Sequence, residues 1–580
     1  MSKAVHGQAY DIVEEENMPI QIRDGTILRA DIYRPDVSGR FPGLLFRTPY
    51  DKRRSDYGRE TYIPVGREAA KHGYVVVMQD VRGRFESNGE FYPFFAYDQV
   101  LDAEDGFDTV EWVASLPYCD GKVGTFGDSY GAWTQWELAR LRPPKLVAML
   151  PSGMPATALD YPILRVRRVL WLMYRMAPET RRRSGALTFG PETAQDAYSI
   201  WETVEREKWL WFLPWKDLPS EVLGQLSPYF YEFLDRIPID YVAHQRQHDQ
   251  IVTPTLHLTG WFDISVSGSI QHYNGMVSNG MTEHARKNQK LVIGPWTHMD
   301  PFYDLPRQTG DLDFGVDAVV DYINILTLWF DYWLKGIDNG IMDEPPIKLF
   351  IMGANIWRFE HEWPLARTEY TDYYFHSKGA ANSSEGNGLL NTTLPDDEPS
   401  DTYIYDPRDP VMSTFSRGAY FEPQDQKPLA YRSDILVYMT EPLGQNVEVT
   451  GPITVQLWAA STAVDIDFTA KLVDVFLNGP TIGLCSGIVR ARYRESIEVP
   501  TLIVPGKVYQ YTIKLEPTAY VFKVGHQIRL DISSSDFPNF DRNHNTGANY
   551  YEDKHLVSAK QTIFHDITYP SKITLPIVPR

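Results

Sequence analysis

The chain of 580 residues carries 56 basic and 76 acidic side chains, a formal charge of −20. A single hydrophobic core stops growing well below this length, so two to four domains are expected. The acidic balance argues against nucleic acid or an anionic membrane as a partner, and two cysteines, Cys119 and Cys485, supply neither a disulfide framework nor a zinc set. The opening stretch MSKAVHGQAYDIVEEEN lacks the apolar core of a signal peptide. No uncharged run approaches the roughly 18 residues of a membrane helix, so a soluble cytoplasmic protein is expected. The one compact basic run, Arg181-Arg182-Arg183, reads as a solvated helix end.

In chain order, residues 19–50 alternate as strands do, and YVVVM (74–78) is a short apolar run of the kind buried on both faces of a sheet. Residues 101–115 have helical spacing. KVGTFGDSYG then reads as strand and turn, and AWTQWELARL as a helix. Strand, turn and helix in this repeating order indicate a parallel sheet with crossover helices. From about residue 156 to 249 the chain turns helical and aromatic-rich. The sheet pattern returns with PTLHLTGWFD and KLVIGPWTH, and 322–336 reads as the last long helix. Residues 370–580 hold many short alternating segments, the pattern of an antiparallel β-sandwich. ANSSEGNGLLNTT (381–393) reads as a polar loop.

The chemistry centres on Gly127-Asp128-Ser129-Tyr130-Gly131, a G-x-S-x-G motif between a predicted strand and a predicted helix. A sharp turn in that context exposes a serine hydroxyl above the sheet, and the flanking glycines leave room where strand and helix crowd. A serine needs a base and a group that orients the base. Asp263 in LTGWFD and His298 in IGPWTH follow in the order this fold uses, each just after a strand-like run. The Tyr130 N–H is the expected first oxyanion donor, and the 47–52 loop, with its Tyr50 phenol, is the candidate source of a second. Other histidines compete. His257 lies within a strand, His244 and His248 read as helix-surface residues at i, i+4 spacing without a third ligand, and His544 sits in a polar loop that can reach the site. Trp171, Trp209, Trp211, Phe212 and Trp215 are candidate pocket walls for a bulky apolar group, with cap-core packing as the plainer role. No metal ligand set and no cofactor are called for.

These residues resemble the family of cocaine esterase-like enzymes, α-amino acid ester hydrolases and X-Pro dipeptidyl peptidases. The pieces that carry the resemblance are RTPYDK (47–52), VRGRFESNGEF (81–91), DGFDTVEW (105–112), GDSYG (127–131), GWFD (260–263), GPWTH (294–298), FDYWLKG (330–336), MGANIW (352–357), DIDFTAKLVDV (465–475) and SSSDFPNFDRN (533–543). The resemblance implies an α/β-hydrolase core (1–150 and 250–355), an inserted helical cap (151–249) and a C-terminal jelly-roll β-sandwich (356–580). It also implies Ser129, Asp263 and His298 as a triad, with the Tyr50 hydroxyl and Tyr130 N–H as oxyanion donors. The family commonly places glycine three residues after the serine; here Gly131 stands two after it and Ala132 third. The α-amino acid ester hydrolases usually carry Glu where Gly131 stands, which points away from recognition of an α-amino group. The expectation is a hydrolase of small-molecule esters or amides, acting through an acyl-enzyme. An X-Pro-type or α-amino-acyl peptidase or acyltransferase of the same chemistry, a catalytically silent binding protein, and a homo-oligomer stay open.

Overall fold

The computed structural model describes residues 9–56, 59–93, 100–157, 165–185, 190–237, 243–298, 305–414 and 422–579. The first half of the chain contributes the strands β1 (Ile12–Gln21), β2 (Ile27–Pro35), β3 (Phe41–Thr48), the short ribbon β4 (Ser55–Asp56) and β5 (Arg59–Glu60), β6 (Val75–Asp80), β7 (Cys119–Asp128) and β8 (Leu146–Ser152). After the cap come β9 (Thr255–Phe262), β10 (Gln289–Thr297), the ribbon β11 (Gln308–Thr309) and β12 (Leu312–Asp313), β13 (Ile347–Ile351) and β14 (Ile356–Glu360). The ribbons apart, these form one sheet in the order β1-β2-β6-β3-β7-β8-β9-β10-β13-β14. Neighbours from β6 across to β13 are parallel, and β1, β2 and β14 pair antiparallel at the edges.

The helices are α1 (Ile63–Lys71), α2 (Val100–Ser115), α3 (Tyr130–Ala139), α4 (Val166–Ser184), α5 (Ala194–Ile200), α6 (Arg206–Leu210), α7 (Ser220–Leu223), α8 (Ser227–Arg236), α9 (Val266–Asn279), α10 (Glu283–Lys287) and α11 (Tyr322–Trp333). Alternation along the central strands sorts the core into two layers. Leu45, Val75, Val77 and Val123 pack toward α2 and α3, whereas Leu44, Phe46, Val76 and Met78 pack toward α1 and α11. Side chains of period two covered on both sides account for the continuous apolar run that marks β6.

β8 runs to Ser152 and β14 to Glu360 within the first sheet, and the C-terminal region of the chain follows. That region holds β15 (Glu369–His376), β16 (Gly388–Asn391), β17 (Asp401–Tyr405), β18 (Leu436–Met439), β19 (Val447–Ser461), β20 (Asp467–Val475), β21 (Thr481–Arg490), β22 (Tyr509–Phe522), β23 (Gln527–Ser533), β24 (Ala559–Phe564) and β25 (Lys572–Ile577). β19-β22-β21-β20-β23-β18-β16-β15-β25 closes on itself through pairing of β25 with β19, and β24 and β17 continue from β19. Closure removes the exposed edges that an open sandwich leaves. The 381–393 stretch, expected as loop, contributes β16, whose ladder with β18 is parallel. The region docks on the core through main chain: Met352 N donates to Ala519 O at 2.9 Å and Val521 N to Met352 O at 2.8 Å.

Two further expectations change. Arg182 and Arg183 are exposed in the last turn of α4 as expected, but Arg181 is buried and donates to the carbonyls of Pro191 and Val222. His244 and His248 are buried and not on a helix surface. With His257 and His272 they surround Trp136 of α3, whose ring stacks on His272 at 4.0 Å. His244 bonds Glu137 at 2.9 Å, His248 bonds His272 at 3.1 Å, and His257 bonds Gln289 at 2.9 Å.

Burial holds His248 down to about 4, with the neighbouring His244 adding to the effect, and His257 down to about 3; His272 is pushed well below the usual imidazole value. Of the charges facing the cluster, Asp249 favours protonation of His248, while Glu137 bonds His244 and is itself paired with Arg140. The fold thus keeps His248, His257 and His272 neutral, while the unfolded chain protonates them below about pH 6.5. Stability is present in full above that pH and falls as the pH drops, by about 1 kcal/mol per ring at pH 5.5. Urea unfolding midpoints should decline from pH 7 to 5, less steeply in a His272→Asn variant. An identical slope in the two proteins would contradict the assignment.

Candidate active site

Four neighbouring parallel strands end side by side: β7 at Asp128, β8 at Ser152, β9 at Phe262 and β10 at Thr297. The residues that follow form the candidate site. Ser129 leaves β7 with φ 51° and ψ −116°, a backbone conformation costly for a residue with a Cβ. Its N–H donates to Ser152 O at 2.9 Å, and its carbonyl takes the Ala132 and Trp133 N–H groups of α3 at 3.0 Å. The two motif glycines have a specific cause. A Cβ on Gly127 would lie 2.8 Å, and one on Gly131 2.9 Å, from the Phe46 ring of β3, so only glycine lets the turn sit on that ring. Asp263 and His298, both buried, follow β9 and β10. Asp263 Oδ1 accepts from Ser265 N at 2.7 Å and from His298 Nδ1 at 2.9 Å. With Nδ1 tied to the carboxylate, Nε2 is left as the basic nitrogen. Burial alone would lower His298, but the charge and hydrogen bond of Asp263 outweigh it and raise the ring above the usual imidazole value; Asp128 adds to the rise and Arg168 opposes it.

Gly153, which the sequence reading passed over, sits at φ +56° against the pair. A Cβ there would lie 2.5 Å from Asp263 Oδ2 and 3.1 Å from His298 Nδ1. The signal available in the sequence was only a glycine directly after a strand. Tyr130 opens α3, so its N–H stands at the helix N-terminus beside Ser129. Tyr50 follows β3, the neighbour of β7, and its ring meets the Tyr130 ring edge-on at 6.1 Å. Lys52 and Asp80 fix this loop: Asp80 accepts the Lys52 N–H at 2.8 Å and its ammonium at 2.6 Å, both side chains being buried.

The aromatic residues expected as pocket walls have packing partners. Trp209 and Phe212 pack on each other. Trp211 lies against Phe537 and Arg542, and Trp215 against Tyr550, which makes these two part of a seam between cap and C-terminal region. Trp171 packs on Trp201 and Tyr198, and Tyr198 lines a cavity beside Tyr50. His544 is buried against Tyr550. Among the described residues no group of three or more His, Cys, Asp or Glu is disposed to hold a metal ion, and no helix is long and apolar enough to cross a membrane.

Residues 24–300 match the X-Pro dipeptidyl-peptidase (S15) family, and residues 339–574 match the X-Pro dipeptidyl-peptidase C-terminal non-catalytic domain. The cocaine esterase of Rhodococcus sp. (strain MB1 Bresler) is 36% identical over 594 aligned positions, covering 97% of this chain and 98% of that one. A putative serine esterase of Mycobacterium bovis is 26% identical with 90% of each chain covered. Among solved structures, an aminopeptidase from a marine sediment Thaumarchaeota archaeon superposes with a TM-score of 0.79 at 25% identity, covering 98% of this chain and 97% of that one. An α-amino acid ester hydrolase follows the same fold with a TM-score of 0.74 at 22% identity, over 99% and 98% of the two chains.

Two outcomes test the geometry. A Gly153→Ala variant should displace the Asp263–His298 pair and lower kcat by roughly 10- to 100-fold, with its melting temperature within a few degrees of the parent; an unchanged kcat would mean that the close approach has no consequence. With His298 as the general base, the acid limb of kcat/KM should have its midpoint above pH 6.5, because His298 holds its proton more tightly than a free imidazole and a base acts in its neutral form. A midpoint near 5.5 would contradict the role of Asp263.

Proposed function

The chain belongs to the family of serine hydrolases that holds cocaine esterase and the S15 X-Pro dipeptidyl-peptidases and is a hydrolase of carboxylic esters; from that premise we propose that the acyl group is carried on Ser129, with His298 as base and Asp263 as its orienting partner. The observation that supports this reading best is the 2.9 Å bond between His298 Nδ1 and Asp263 at strand ends neighbouring the strained turn of Ser129.

Ser129 Oγ attacks the carbonyl carbon as His298 Nε2 takes its proton. The carbonyl oxygen gains the negative charge, and the Tyr130 N–H and the Tyr50 hydroxyl donate to it. The tetrahedral species collapses, and the leaving alcohol departs with the proton that His298 returns. Water then repeats the sequence on the acyl-enzyme, releasing the acid and restoring Ser129. An amine can take the place of water or of the leaving alcohol, and the likeness to an aminopeptidase is the reason to assay aminoacyl amides beside esters.

Ser129→Ala should lower aryl-ester turnover at least 10³-fold with little change in stability; retention of more than a few per cent of the rate would unseat the nucleophile. Tyr50→Phe keeps the ring and removes one donor, so kcat should fall by roughly 10²–10³-fold with KM nearly constant. If Tyr50 only packs, kcat stays within a few-fold of the parent, and the second donor is then a backbone N–H of the 47–52 loop.

A further inference from the structure

Tyr50 is one wall of a cavity of about 30 Å³, whose other polar walls are Arg54, Arg84, Arg175, Gln195 and Tyr198. Among the described residues three guanidinium groups line this space and no carboxylate does. Arg54 and Arg175 stand 5.5 and 5.3 Å from the centre of the Tyr50 ring, so the cavity and the oxyanion donor share one phenol.

Arg84 is the informative group. It is 2% exposed, and its Nε donates to Pro49 O at 2.8 Å while Nη1 donates to Met176 O and Thr180 Oγ1 at 3.1 Å. Its Nη2 has no hydrogen-bond partner among the described residues, although the guanidinium otherwise makes full use of its neighbours. Burial lowers Arg84 to about 10, so it stays a cation at neutral pH.

The carboxylates whose charge reaches Arg84 already have cationic partners. Glu179 takes two hydrogen bonds from Arg182 at 2.8 Å, and Asp80 takes the Lys52 ammonium. A buried cation with a spare donor costs stability unless something returns the charge. The volume suits two or three water-sized groups, the bulk of a carboxylate, and planar forks of guanidinium are the side chains best matched to one.

We propose that this cavity receives a carboxylate carried by the ester substrate, so that the enzyme prefers anionic esters whose charge lies a few bonds from the scissile carbonyl. The proposal rests on the reading of Tyr50 and Ser129 given above. It runs against the chain's net charge of −20, which repels anions at a distance. Recognition must therefore be short-range, and the preference should survive added salt better than surface steering does.

Binding to the Ser129→Ala protein tests this without turnover. Two matched pairs distinguish where the charge is carried: p-nitrophenyl hemiglutarate against p-nitrophenyl valerate for the acyl side, and 4-acetoxybenzoate against 4-acetoxybenzamide for the leaving group. By calorimetry the charged member of one pair should bind at least 10-fold more tightly than its neutral partner. That ratio should fall to near one in the double variant Ser129→Ala, Arg175→Met. Arg84→Met should do the same and Arg84→Lys should keep part of the preference; if loss of the Pro49 and Met176 contacts unfolds the Arg84 variants, the Arg175 result stands alone. Equal affinities within both pairs, or a preference that persists in the Arg175→Met protein, would overturn the proposal. Failure of the underlying reading has a different signature: the Ser129→Ala protein itself turns over the esters, and the preference is then read from the ratio of KM values.

Discussion

The packing of one turn on one ring organises this molecule. Phe46 of β3 lies against both Gly127 and Gly131, so the chain reverses from β7 into α3 with no side chain between. Ser129 is held there in a conformation it would not adopt alone, tied to the end of β8 through Ser152. The same β8 end then supplies Gly153, on which the Asp263–His298 pair rests. The cost of the strained serine is met by the surrounding core, and the result is a hydroxyl whose place is fixed by backbone contacts.

A second constraint is the treatment of charge below the surface. Lys52 with Asp80, Arg490 with Asp467 and Arg492 with Asp465 are paired at 2.6, 2.9 and 2.7 Å in largely buried settings. Removing one partner from such a pair costs far more than the pair contributes, so these contacts fix geometry more than they add stability. Lys52–Asp80 holds the Tyr50 loop by this means. His248, His257 and His272 beside Trp136 take the opposite course and are kept neutral by burial.

What the sequence made legible follows from how local each signal is. The glycines flanking Ser129, the all-apolar β6 and the strand ends before Asp263 and His298 are short-range patterns, and the structure bears them out as elements of the first sheet. Closure of the C-terminal ring through β25 and β19 joins residues more than a hundred positions apart, and no periodicity encodes it. His244 and His248 read as surface residues because their spacing was judged without the strand and helix that cover them. For Trp211 and Trp215 an aromatic cluster announces burial but not the partner, which here is the segment around Phe537 and Tyr550. Arg84 was legible only as part of a family stretch. Its burial depends on α4, which arrives more than eighty residues later.

The first turn of α4 has no capping side chain of its own; the carboxylate of Asp541 accepts the Val166 N–H at 2.7 Å and reaches the Arg167 N–H at 3.5 Å. That cap lies 375 residues downstream of the helix it finishes. On a ribosome adding roughly 5–20 residues per second, on the order of 20–75 s separate the synthesis of the helix from that of its cap. Throughout that interval the nascent hydrolase core carries an uncapped α4, and Arg168, whose charge bears on His298, belongs to the same helix. Synthesis order thus sets a delay between making the Ser129 turn and capping the helix whose Arg168 bears on His298, so that a partial chain on the ribosome holds the serine before that helix is finished.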